Sequence, residues 1–217
     1  WLYAEYRLTS MRAYLQTILI RAIGLPVLYL SSMGLGLGAL VDSGAGRVEG
    51  VSYLVFVGPA LLVSSIVMEA SGEFTYPVMS GFRWQRHYFA ATASPVTPAQ
   101  VVLGEVVAVG LRFVAETALF WLALLWFGAV TAPASALMIV IAPLAALAFG
   151  APLMAFAATQ TDEGTQFAFI QRFVVMPMFL FAGTFFPLGA MPWYLQWIGW
   201  ISCRSRPPGP AGWSASA

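Results

Sequence analysis

Residues 179–196 read FLFAGTFFPLGAMPWYLQ, in which an apolar run stops at Gly183-Thr184, passes through Pro187 and resumes at Pro192 as an aromatic stretch. A strand in the core of a soluble protein is not expected to carry so many large exposed aromatic side chains. A transmembrane helix that ends at the lipid–water boundary, followed by a segment lying along that boundary, accounts for both halves, because Trp and Tyr concentrate at headgroup level. The stretch predicts an integral membrane protein.

Composition agrees with this prediction. Of the 217 residues, 60% are hydrophobic and 9% are charged, whereas a soluble domain carries about 25% charged residues. A formal net charge of +1 argues against a nucleic-acid partner. The single cysteine, Cys203, and the single histidine, His87, cannot build a disulfide framework or a multi-ligand metal site. We therefore expect no metal and no cofactor to be bound by this chain.

The basic residues are all arginine, and the sequence contains no lysine. A P-loop needs a lysine after its glycines to reach the nucleotide phosphates. We therefore expect the chain to lack a Walker-type ATPase site, and we predict that it is not an enzyme.

Five segments are long and apolar enough to cross a membrane, which takes about 20 mostly apolar residues per helix. They predict an all-α integral membrane protein with spans at residues 17–41, 51–70, 101–127, 135–158 and 173–187.

The arginines predict the orientation of these spans, because cytoplasmic loops collect Arg and Lys. One side carries Arg7, Arg12, Arg83, Arg86 and Arg172, whereas the other side carries Arg47. We therefore expect a multi-pass protein of the cell membrane, a bacterial inner membrane, with its N-terminus and its 74–100 loop in the cytoplasm. The fifth span then exits to the outside.

The segment before the first span predicts a helix lying on the cytoplasmic surface. Leu8, Met11 and Leu15 share one helical face, while Arg7 and Arg12 can point to lipid headgroups. A solvated tail is the alternative.

The segment after the fifth span predicts a short external helix at the interface. Trp193, Trp197 and Trp200 recur at helical spacing, and Pro192 suits a first helical turn. A plain loop is the alternative. The external interfacial segment comprises Gly183, Thr184, Phe185, Phe186, Pro187, Pro192, Trp193, Tyr194, Leu195, Gln196 and Trp197.

The stretch MFLFAGTFFPLGAMPWYLQWIGWIS at 178–202 resembles the signature of ABC type-2 transporter permeases, especially the group of nodulation lipo-oligosaccharide and daunorubicin-type drug exporters. YRLTSMRAY, FTYPVMSGFRW, ASPVTPAQVVLGE and PLMAFAAT are similar to further family motifs and occur in the family's order. Together they extend the resemblance over residues 1–202, which we interpret as one permease transmembrane domain.

The resemblance implies six transmembrane helices with an interfacial segment between the fifth and the sixth. It also implies that two permeases, identical or homologous, pair in the membrane with two separate ATPase subunits that hold ATP and Mg. The cargo would be a drug, a lipid-linked saccharide or a polysaccharide.

The expected sixth span is replaced by CRSRPPGPAGWSASA at 203–217, where the composition changes abruptly. We interpret this tail as non-native sequence that is translated from a shifted reading frame, so that the chain is C-terminally truncated or frame-shifted. A disordered C-terminus of a shortened homologue is the alternative.

The 74–100 loop contains the candidate contact with an ATPase. Its compact cluster consists of Arg83, Trp84, Arg86, His87 and Tyr88. The family resemblance implies a coupling helix here, and aromatic and arginine side chains dominate protein interfaces. Headgroup binding by a basic loop next to the membrane is the alternative.

Glu105, Arg112 and Glu116 lie in the third span, where charges are costly and mark function by default. Arg112 and Glu116 are one helical turn apart and can pair along the helix face. The three charges line a translocation surface or lock helices together, and the sequence leaves both readings open.

Three more charges lie at the ends of the first two spans. Arg21 is expected to snorkel, and Glu69 and Glu73 are expected to meet Arg83 or Arg86.

These features predict a permease subunit of an ATP-driven exporter of hydrophobic or amphiphilic cargo, powered by a separate ATPase and in contact with membrane lipids. One alternative is a proton-coupled transporter that uses Glu105 or Glu116. Another is a membrane anchor or assembly protein that transports nothing.

Overall fold

The computed structural model describes residues 2–32, 36, 52–130, 133–160 and 164–181. Regular structure within these ranges is helical, which confirms the all-α prediction for this part of the chain. A 3-10 turn, Pro133–Leu137, precedes α7, and a π turn, Gln171–Val175, joins α8 to α9. The helices are α1 (Leu2–Arg12), α2 (Leu15–Leu30), α3 (Tyr53–Glu73), α4 (Tyr76–Arg83), α5 (His87–Thr92), α6 (Pro98–Trp126), α7 (Met138–Thr159), α8 (Thr165–Ile170) and α9 (Met176–Phe181).

Three stretches of the described chain are long and apolar enough to cross a membrane: Tyr53–Arg83, Pro98–Trp126 and Ser135–Thr159. They correspond to the second, third and fourth predicted spans. The bent pair of α1 and α2 adds a fourth candidate if it forms one span. The total of five remains a prediction, because the end of the first span and the end of the fifth lie outside the described residues.

The chain turns by 75° between α1 and α2, which agrees with a change of direction where the first span was predicted to begin. Leu8 and Met11 are half-buried on α1. Leu15, however, belongs to α2 and is 50% exposed. The prediction that Leu8, Met11 and Leu15 share one helical face is therefore wrong for Leu15, because α1 ends at Arg12 and Leu15 begins the next helix.

The long helix α6 begins earlier than the sequence reading placed it, at Pro98 rather than at 101. The Gln100 backbone N–H donates to the Thr97 hydroxyl at 3.4 Å, and the Thr97 N–H donates to the Gln100 side chain at 3.0 Å. This is a capping box with proline in the first turn, and it satisfies donors that a helix start otherwise leaves unpaired.

Small residues bring the long helices together, as is usual in membrane proteins. A Cβ on Gly150 of α7 would lie 2.2 Å from the ring of Phe74 at the end of α3, so only glycine lets that ring pack directly on α7. The Phe74 ring also meets Phe113 of α6 edge to face, with centroids 6.4 Å apart. The closely packed helices α3, α6 and α7 form the frame on which the site is built.

Candidate functional site

Seven charged side chains from four helices meet beside this frame, and we call them the charge cluster. They connect α1, α2, α3 and α6 through ion pairs of 2.7–3.5 Å. Its members are Arg7, Arg21, Glu69, Glu73, Glu105, Arg112 and Glu116.

Arg112 lies at the centre of the charge cluster. Its guanidinium is 3.2 Å from Glu69 and 3.0 Å from Glu73 on α3. Its Nε lies 3.1 Å from Glu116 one turn further along α6, which confirms the predicted pair, although this contact is an ion pair without an aligned hydrogen bond. The Arg112 side chain is only 12% exposed. One largely buried cation is thus shared by three carboxylates.

Arg7 connects α1 to the charge cluster, and its predicted position among the lipid headgroups is wrong. Its Nε donates to Glu105 at 2.9 Å, and its Nη2 lies 3.5 Å from Glu73. Glu105 is 2% exposed, so its carboxylate attracts the cation inward. Arg12, on the same helix, is exposed as expected.

The predicted partners of Glu69 and Glu73 are also wrong. Both carboxylates bind arginines of other helices, as described above, rather than Arg83 or Arg86 of the following loop. Arg21, expected to snorkel, donates to Glu69 at 2.7 Å while its side chain stays 59% exposed. These pairs join residues far apart in the chain, which spacing arguments do not reach.

A cavity of about 740 Å³ opens next to the charge cluster, and we call it the cleft. Its lining includes charged side chains, among them Glu69, Glu73 and Arg172. It also includes Leu61 and Phe120 of an apolar core cluster, together with Phe179, which packs against that cluster. The cleft therefore has both charged and apolar walls, and its volume is within the range of small-molecule sites.

Two further contacts shape the cleft. The Ser71 hydroxyl donates to Gln171 of the π turn at 2.9 Å, and the Tyr76 hydroxyl donates to the backbone oxygen of Gly164 at 3.1 Å. They connect α3 and α4 to the α8 region. The sequence reading did not identify this cleft, since its walls come from α2, α3, α4, α6 and the α8–α9 segment.

The predicted ATPase contact divides into an exposed and a buried part. Arg83 at the end of α4 is exposed, as are Trp84 and Arg86 in the turn before α5, and Trp84 is 67% exposed. We call this turn, residues 83–86, the docking turn. Tyr88 is only 5% exposed and belongs to the core, so it can position the turn but cannot contact a partner directly.

His87 packs against Gly81 of α4 and the ring of Tyr88, next to the docking turn. A Cβ on Gly81 would lie 2.5 Å from the His87 ring and 2.3 Å from Tyr88, so glycine is required for this packing. Burial, together with the positive charge of Arg7, lowers the pKa of His87. Arg86 adopts a left-handed backbone conformation, with φ of 53°, which is uncommon for a residue with a side chain.

A groove of about 520 Å³ lies beside the docking turn. Its walls include Phe82, Arg83, Arg86 and Phe89 on one side and Ala158, Thr159 and Gln160 at the end of α7 on the other. Two connections on the same side of the helix frame thus form one surface. The groove combines apolar and cationic walls.

Several predicted features lie outside the described residues. They include the external interfacial segment from Gly183 to Trp197 and the tail at 203–217. Their interpretation continues to rest on the sequence.

Comparison with known proteins places these observations in a family. The family model described as "ABC-2 type transporter" matches residues 5–204. Nodulation protein J of Rhizobium meliloti (strain 1021) is 30% identical over 184 residues, which cover 80% of this chain and 64% of that protein. Nodulation protein J of Rhizobium leguminosarum bv. viciae is also 30% identical over 184 residues, covering 80% of this chain and 65% of that protein. The chain therefore spans less than two thirds of these relatives, and no solved structure matches it.

Proposed function

Because the chain belongs to the ABC-2 type transporter family, we propose that it is the membrane permease subunit of an ATP-driven exporter whose cargo is hydrophobic or amphiphilic. The observation that carries the cargo class is the cleft, which joins charged walls to aromatic and aliphatic ones. An amphiphile places its polar group against the first and its apolar body against the second.

The energy for export comes from a separate ATPase subunit, which holds ATP and Mg. Two observations support this division of labour. The sequence has no lysine for a P-loop, and the docking turn presents Arg83, Trp84 and Arg86, side chains that are suited to a protein interface. The complete exporter contains two ATPase subunits and a second permease, either another copy or a homologue.

Within the charge cluster, Glu105, Arg112 and Glu116 lock helices together rather than contacting the cargo. The support is their internal pairing: Glu105, Arg112 and Glu116 each lie within 3.2 Å of an opposite charge. A buried charge that has a partner resists separation, because removing the partner leaves it uncompensated. The cluster forms part of the polar wall of the cleft through Arg21, Glu69 and Glu73.

The proposed orientation keeps the N-terminus and the docking turn in the cytoplasm of a bacterial cell. It follows from the arginine distribution. The external interfacial segment then lies on the opposite side, over the exit of the cargo.

The experiment is affinity purification of the chain from the host cell in mild detergent, followed by identification of co-purified proteins and reconstitution into liposomes. We expect an ATPase subunit to co-purify and ATP to drive movement of a fluorescent amphiphile. Movement driven by a pH gradient without ATP would instead establish the proton-coupled alternative. A chain that recovers no ATPase and moves no amphiphile would support the anchor or assembly role.

A further inference from the structure

Arg7 connects α1 to two long helices at one point. Both its Nε and its Nη2 lie 2.9 Å from the same oxygen of Glu105 on α6, and the Nη2 is 3.5 Å from Glu73 on α3. Glu73 closes α3, only three residues before α4 begins. A cation held between carboxylates on two helices opposes their separation, since either movement leaves a buried charge unpaired.

The position of Arg7 is set by a close backbone contact. A Cβ on Gly104 of α6 would lie 2.9 Å from the Tyr3 ring and 3.0 Å from the backbone nitrogen of Ala4. Glycine at 104 therefore lets the first turn of α1 rest directly on α6, beside Glu105. Arg7 follows one turn later and faces the same side.

The helix that follows the docking turn, α5, packs in the same core as the first turn of α1. Tyr88, at the start of α5, belongs to the same core cluster as Tyr3. Burial raises the pKa of Tyr88, and the negative charge of Glu105 raises it further. The pKa of His87 is lowered by burial and by the charge of Arg7. Residues just after the docking turn thus lie within electrostatic reach of the Arg7–Glu105 pair.

We propose that Arg7 is a positioning residue that transmits movement of the docking turn to α3 and α6, and so to the cleft. This rests on the proposed function, because it requires an ATPase bound at the docking turn. Loss of Arg7 should leave docking and ATP hydrolysis in place while the cleft stops responding to the nucleotide.

The test measures that response directly in the complex of the full chain with its co-purified ATPase. Ser65 lines the cleft, so Ser65→Cys in a Cys203→Ser background supplies a reporter thiol in every protein compared. A fluorescent maleimide reports its labelling rate with and without ATP, and phosphate release reports hydrolysis. The variant is Arg7→Gln, and the matched control is Arg12→Gln on the exposed side of α1.

We expect ATP to change the labelling rate several-fold in the chain that retains Arg7 and in Arg12→Gln. In Arg7→Gln, we expect the ATPase to co-purify and to hydrolyse ATP, while the labelling rate no longer depends on ATP. Arg7→Lys should restore part of the response, because it returns the charge without the guanidinium fork.

Two results would overturn the inference in distinguishable ways. A full ATP response in Arg7→Gln removes the role of Arg7 and leaves the proposed function intact. If the unsubstituted chain recovers no ATPase, the role of Arg7 and the proposed function are both contradicted. If Arg7→Gln does not fold, the double variant Arg7→Gln/Glu105→Gln replaces the charged pair with two amides, and a full response in it likewise overturns the inference.

Discussion

The guanidinium of Arg112 lies 3.0 Å from the carboxylate of Glu73, which joins the middle of α6 to the end of α3. Arg112 is 12% exposed and Glu73 is 16% exposed, so the pair is largely withdrawn from solvent. Paired charges in such a position hold helices in register, since separating the helices would leave a largely buried charge without its partner.

Replacing Arg112 with alanine should therefore destabilise the protein strongly. It leaves Glu69, Glu73 and Glu116 without this cation, and breaking a buried pair costs about 3–5 kcal/mol. The measurement is the free energy of unfolding in detergent micelles. Arg12→Ala is the control, because Arg12 is exposed and a surface substitution changes stability by about 0.5 kcal/mol or less. Equal stabilities of the two variants would show that the charge cluster does not hold the helices together.

The contact between Gly150 and Phe74 predicts how alanine at position 150 changes the stability of the protein. Gly150→Ala places a methyl group where the Phe74 ring lies, and overpacking of this kind costs about 1–3 kcal/mol. Gly72→Ala is the matched control in α3, where a Cβ would meet nothing within 4 Å. Alanine there should stabilise the helix by roughly 0.5–1 kcal/mol. Thermal unfolding of both variants should move in opposite directions, and a shared direction would contradict the packing described here.

Charge reversal on the docking turn should weaken recovery of the ATPase subunit. Arg86→Glu reverses one exposed charge, and Arg83→Glu/Arg86→Glu should weaken recovery further. Arg86→Gly removes the charge while accepting the φ of 53° without strain, which separates loss of binding from misfolding. The measurement is the amount of ATPase that co-purifies per permease. Thr92→Glu adds a negative charge at the exposed end of α5 and serves as control; an equal loss in it would mean that general repulsion, not this surface, is responsible.

The orientation is tested by labelling introduced cysteines. In a Cys203→Ser background, Gly189→Cys and Trp197→Cys should react with a membrane-impermeant thiol reagent added outside intact cells. Thr92→Cys should react only after the cells are opened, because the arginine distribution places its loop in the cytoplasm. The reverse pattern would invert the topology and every loop assignment derived from it.

Much of the helical frame could be predicted without coordinates. An apolar run of about 20 residues has few options, because a backbone in lipid must satisfy its hydrogen bonds within a helix. The predicted span at 135–158 accordingly matches Ser135–Thr159 closely. α6 begins three residues before the predicted span because Thr97 and Gln100 form a capping box, a signal that the sequence carries as threonine followed three residues later by glutamine.

The pair of Arg112 and Glu116 was predictable as well, because residues four apart on a helix lie on one face. The partners of Arg7 were not, since Arg7 and Glu105 are 98 positions apart in the chain. Residue spacing describes one helix at a time, whereas the direction of a long arginine side chain depends on which carboxylate a neighbouring helix buries beside it. Chain composition and local periodicity thus determined that the protein lies in a membrane and where most of its spans are. The charge cluster, the cleft and the burial of Tyr88 depend on how the helices pack, which only the tertiary structure decides.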